Sequence, residues 1–136
     1  MEKKNLDWAN IGFAYRKTDK RFVSNYKDGN WDEGILTEDD MITISECACV
    51  LQYAQTCFEG LKAYTTVDGR IVCFRPDLNA QRMSDTCVRL EMPQYPVEKF
   101  VEAVKATVRA NKDLYVYNRS TGTVTHLHEG DEMGQY

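Results

Sequence analysis

The sequence predicts an α+β fold, a mostly antiparallel sheet with two amphipathic helices on one face. Three observations predict it. Between Phe13 and Phe74, apolar or β-branched residues alternate with polar ones and are punctuated by Asp-Gly pairs, as in short strands and their turns. From Pro76 onward the apolar spacing lengthens to that of a helix. The 136 residues are 43% hydrophobic and 28% charged, the profile of one soluble globular unit able to bury a core.

Phe13 to Tyr26 (FAYRKTDKRFVSNY) alternates aromatic or β-branched residues with charge and breaks at Thr18-Asp19, which predicts two short strands around a turn. Lys27-Asp28-Gly29-Asn30 supplies the next turn. Met41 to Ser45 reads as a further strand, followed by a more continuous apolar stretch up to Tyr53. Leu61 to Thr66 and Arg70 to Phe74 flank Val67-Asp68-Gly69, and a short Gly-containing loop between two β-rich runs predicts a hairpin. Pro76-Asp77 opens the first helix, with proline near the first helical position and an acid in the first turn. Met83, Cys87 and Leu90 follow at i, i+4 and i+7, and Pro93 breaks the pattern. A second helix from near Pro96 carries Val97, Phe100, Val101, Val104 and Val108 on one stripe, with Glu98, Glu102, Lys105 and Arg109 outside it. Beyond Lys112 the pattern weakens, and 118–136 reads as one extra strand and a loose tail.

The 17 Lys and Arg against 21 Asp and Glu give a formal charge of −4, without the clustered positive charge that drives phosphate-backbone binding, so nucleic acid is not expected as a partner. The longest apolar run, Cys47 to Leu51, is far short of the roughly 20 residues of a membrane span. No secretory leader follows Met1. Cys47, Cys49, Cys57, Cys73 and Cys87 form an odd set with no C-x-x-C pair, which points to buried thiols in a reducing cytoplasm rather than a disulfide framework. Nucleotide-loop, zincin and nucleophile-elbow motifs are missing, and both histidines fall in the last eleven residues. His126 and His128, with Glu129 and Glu132, have metal-ligand types at strand spacing, yet a solvated polar tail is the preferred reading and no metal is expected.

One stretch is specific. Tyr53, then Phe58-Glu59-Gly60-Leu61-Lys62-Ala63-Tyr64, then Phe74-Arg75-Pro76 and Leu78-Asn79-Ala80-Gln81-Arg82-Met83 resemble the signature of the branched-chain amino-acid aminotransferases, pyridoxal-phosphate enzymes of fold type IV. Upstream, Gly12-Phe13-Ala14-Tyr15, Thr18-Asp19, Tyr26-Lys27-Asp28-Gly29 and Trp31-Asp32-Glu33-Gly34 resemble the bacterial members. The resemblance runs from about Leu6 to Asp113. It implies a small N-terminal domain over 1–113, followed by a divergent tail over 114–136 of the kind a truncation or frameshift produces. A gapless continuation places His126 and His128 where the family has a Tyr-x-Arg strand for the substrate carboxylate. Gln52 stands where histidine is common.

The resemblance implies reversible amino transfer between leucine, isoleucine or valine and 2-oxoglutarate, with pyridoxal 5'-phosphate as cofactor, in a cytoplasmic homodimer. Arg82 matches the arginine that holds the cofactor phosphate, for which a planar, permanently charged fork is suited. Tyr53 and Phe58 match residues lining the cavity for the branched side chain, the tyrosine reaching into the neighbouring subunit's site. Gly60 matches a position of close backbone approach, and Lys62 a basic position at the edge of the substrate site. The lysine that forms the Schiff base lies, in the family, in a second domain. None of the nine lysines here matches it, so the chain by itself is expected to be inactive. Two alternatives stay open: another fold type IV enzyme, such as a D-amino-acid aminotransferase or a chorismate-derived lyase, and a non-catalytic dimerisation or interaction module.

Overall fold

In a computed structural model of the chain, the described residues are Tyr15, 17–68 and 70–111, together with the backbone of 116–118 and 123–125. The α+β class holds, and its antiparallel pairing is divided among two-stranded ribbons. Strand β1 (Arg21–Val23) pairs with β4 (Ile35–Thr37), and between them the chain forms the hairpin of β2 (Tyr26–Lys27) and β3 (Asn30–Trp31). The predicted turn is present: Asp28 and Gly29 both take positive φ, 52° and 83°, the left-handed pair that a two-residue hairpin requires and that Asp-Gly accommodates best. Gly34, at φ 72°, lies under the ring of Phe22, which a Cβ there would meet at 2.2 Å. Asp32 ties this region together. Its carboxylate accepts from the Asn25 amide nitrogen (2.9 Å), Asn25 Nδ2 (3.0 Å), Ser24 Oγ (2.9 Å) and the Gly34 amide (3.0 Å). These donors, the Asn25 backbone first, lower its pKa to about 2.

Helix α1 (Cys49–Tyr53) is short and carries no buried residue. The expected strand over Met41 to Ser45 does not form. A strand needs a neighbour for its backbone groups, and here the segment is held instead through Arg21, whose Nη2 donates to the Met41 carbonyl (2.5 Å) and whose Nε donates to that of Asp39. The hairpin of β5 (Ala63–Thr65) and β6 (Ile71–Cys73) forms as expected. Strands β7 (Val116–Asn118) and β8 (Thr123–Thr125) pair with each other, and β7 lies close to β5. The first predicted strand and most of the tail, with His126 and His128, fall outside the described residues.

Helices α2 (Pro76–Arg89) and α3 (Val97–Ala110) begin at the expected prolines and pack on each other, while α3 also contacts β1 and β4. The core consists of Ile71, Cys73, Ala80, Cys87, Tyr95 and Val101. The rest of the α3 stripe is half-buried, whereas Leu90, at the end of α2, is exposed. Cys73 and Cys87 are the buried thiols expected, but Cys47, in the turn before α1, and Cys49, at the start of α1, are exposed. Trp31 docks the β2–β3 hairpin onto the helical pair: its ring meets Tyr95 edge-on at 4.9 Å, and Nε1 donates to the Gln94 carbonyl at 2.8 Å. Buried Asn111 closes α3 against the start of β1, accepting from the Lys20 amide (3.0 Å) and donating to the Lys20 carbonyl (2.8 Å). Among the described residues no helix is long and apolar enough to cross a membrane.

Candidate functional site

Between the segment leading into β5 and the first two turns of α2 lies an open groove of about 390 Å³. Gly60, Lys62 and Tyr64 line one side, and Arg75, Asn79 and Arg82 the other. Helix spacing explains the second set, because Asn79 and Arg82 at i and i+3 share a face of α2. Arg75 takes a left-handed conformation (φ 44°) at the helix entrance, and its guanidinium is turned onto Asp77 (Nη2 to Oδ2, 2.6 Å). Its charge is therefore already answered locally.

Arg82 sits differently. Nε donates to Glu59 Oε1 and Nη2 to Glu59 Oε2, both at 2.9 Å, a two-point fork. Asn79 Nδ2 donates to Glu59 Oε2 (2.7 Å) and to the Gly60 carbonyl (3.0 Å), locking the carboxylate to the backbone before β5. The Glu59 side chain is 14% exposed and that of Arg82 58%. Donation from Arg82, then from Asn79, holds the Glu59 carboxyl below its usual range, and the same hydrogen bond raises the Arg82 pKa. Among the described residues, Arg82 Nη1 donates to none.

Of the residues singled out in the sequence, Gly60, Lys62 and Arg82 are brought together around this groove. Tyr53 and Phe58 are not among its walls; they are 81% and 89% exposed. The Phe58 ring lies beside Gly60, where an added Cβ would come no nearer than 3.6 Å, so among the described residues nothing crowds that glycine. Glu59 and Asn79 were not singled out. Asn79 carries a signal in its spacing from Arg82, but the Glu59 partnership joins residues 23 positions apart and leaves no periodic trace.

The donor set suits a phosphate monoester. Arg82 keeps the outer edge of its guanidinium for a second pair of parallel hydrogen bonds, and Lys62 adds an ammonium at the same groove.

The chain matches no protein-family model. It is 56% identical over 110 residues to a branched-chain-amino-acid aminotransferase of Haemophilus influenzae, covering 81% of this chain and 32% of the relative. It is 46% identical over 108 residues to one of Helicobacter pylori (79% and 32%) and 41% identical over 109 residues to a methionine aminotransferase of Arabidopsis thaliana (79% and 31%). The chain thus spans about a third of the length of these curated relatives. This identity, sustained over about four fifths of its residues, makes the chain similar to a segment about a third as long as the full-length branched-chain-amino-acid aminotransferases.

Proposed function

We propose that this segment forms the phosphate-anchoring side of a pyridoxal 5'-phosphate site of fold type IV, with Arg82 as the residue that receives the phosphate. The observation that carries the reading is that, among the described residues, the outer edge of the Arg82 guanidinium has no partner at the groove that Lys62 also lines. In a complete enzyme the cofactor supplies an electron sink for amino transfer. The part of this chain is to anchor and orient. Arg82 holds the phosphate, Lys62 adds positive charge at the groove edge, and Gly60 leaves backbone accessible there. Phe58 and Tyr53 present apolar surface suited to a branched side chain contributed to a neighbouring site. The reaction served is amino transfer between leucine, isoleucine or valine and 2-oxoglutarate.

Pyridoxine 5'-phosphate tests the anchor without reacting with lysines. The chain is expected to bind it more tightly than pyridoxine, and Arg82→Ala to abolish that preference. Equal binding of the two ligands by the unsubstituted chain, or an unchanged preference in Arg82→Ala, overturns the assignment.

A second reading is favoured by a specific feature: Met41, Ile42, Ile44, Val50, Leu51, Tyr53 and Phe58 are all exposed on one run of chain. Apolar exposure of this extent marks a surface that other protein covers. A homodimer contact is the assignment we make for it. Sedimentation equilibrium tests it, with a monomer at all concentrations as the contrary result.

A further inference from the structure

We propose that Glu59, latched by Asn79, is a positioning residue for Arg82: it grips the Nε–Nη2 edge of the guanidinium so that the Nη1 side is presented to a phosphate group. The inference rests on the assignment of Arg82 as phosphate anchor. An arginine reaching from a helix into an open groove samples many rotamers, and a ligand that selects one of them bears the ordering cost. Here that ordering is made in advance by protein groups. The fork at 2.9 Å and 2.9 Å fixes the guanidinium plane. The carboxylate is in turn fixed, because buried Asn79 donates through one nitrogen to Glu59 Oε2 and to the Gly60 carbonyl. The chain of contacts therefore runs from the backbone before β5, through Asn79 and Glu59, to Arg82. The remaining donors, both hydrogens of Nη1 and the outer one of Nη2, lie away from the carboxylate and match two phosphate oxygens.

Charge works against orientation in this arrangement, which makes the roles separable. A carboxylate near an incoming phosphate repels it. If Glu59 served only to neutralise Arg82, weakening its grip would tighten phosphate binding; if it positions Arg82, the same change loosens binding although the net charge is unaltered.

Glu59→Asp keeps the charge and withdraws the carboxylate by one methylene, too far to hold both nitrogens. Asn79→Ala leaves Glu59 intact and releases the latch, and it serves as the second variant should Glu59→Asp fold poorly. In the full chain, the Arg82 Nε–H resonance, assigned by its loss in Arg82→Ala, is expected to be protected from exchange and to lose that protection in both variants. Dissociation constants for pyridoxine 5'-phosphate are expected to rise roughly three- to tenfold in each, as for an oriented hydrogen bond lost. Undiminished binding and a protected Nε–H in both variants overturn the positioning role while leaving the phosphate assignment intact if Arg82→Ala still abolishes the preference for pyridoxine 5'-phosphate over pyridoxine. An unchanged preference in Arg82→Ala removes the assignment and the inference together.

Discussion

The region from Ile71 to Asn111 and the segment from Met41 to Phe58 are both rich in apolar residues, the second more so, and have opposite fates. In the first, Ile71, Cys73, Ala80, Cys87 and Val101 are buried, and buried polar residues such as Ser84 and Asn111 find partners inside the chain. In the second, no residue of α1 is buried and the aromatic side chains Tyr53 and Phe58 face outward. The difference lies in tertiary partners. The helical stripes meet each other and β1, whereas among the described residues α1 makes no comparable contact with another element. Apolar composition therefore marks a surface to be buried but does not say whether the burying partner is in the same chain.

The largest effect that tests this contrast is expected at Ile71. It is buried in β6, so Ile71→Ala should cost about 2–5 kcal/mol, combining lost transfer energy with an unfilled cavity. Chemical denaturation measures it directly, and a cost below 1 kcal/mol would show that the helical half is not the stable half. Next is Asn111. Asn111→Ala leaves the Lys20 amide and carbonyl without their partner at a buried position, at a cost of about 1–3 kcal/mol, and it should loosen β1 from α3. Hydrogen exchange at the Lys20 amide reads this second consequence.

A smaller effect is expected from acid. The Asp32 carboxyl sits at about 2 in the folded chain against an ordinary value of 3.8. Its folded pKa is depressed, so its contribution is fully present above the ordinary value and is lost as pH falls from near 4 through about 2. Thermal melts over that window should show a steeper decline for the natural chain than for Asp32→Asn. Parallel profiles would mean that the hydrogen bonds from Asn25 and Ser24 do not persist in solution.

What the sequence made legible follows the same division. Local chemistry was readable: Asp28-Gly29 demands a tight hairpin, Pro76 and Pro96 place helix starts, and Val97 to Val108 repeat at helical spacing. The Ala63 to Cys73 hairpin was readable for the same reason. Met41 to Ser45 reads as a strand yet forms none, because its alternation reports a two-faced segment and not whether a neighbour accepts its backbone. At the groove, Arg82, Lys62 and Gly60 were found through motif resemblance, and the structure sets them together. Glu59 is not legible as part of the site, since nothing local in Phe58-Glu59-Gly60 announces an arginine on a helix 23 residues later.

The smallest expected effect separates the two regions most sharply. Ile42 and Leu51 are 70% and 60% exposed, so Ile42→Ala and Leu51→Ala should each change the stability of the isolated chain by less than about 0.5 kcal/mol, the usual range for surface positions. The same substitutions on a surface meant for protein contact should lower self-association, because the apolar area they remove is area that association would take from water. Equilibrium unfolding at low chain concentration and sedimentation at high concentration measure the two quantities separately. A large stability loss at low concentration would place Ile42 and Leu51 in a core of this chain, in disagreement with their exposure. Unchanged stability with weakened association would make the Met41 to Phe58 segment a surface whose folding partner is another polypeptide.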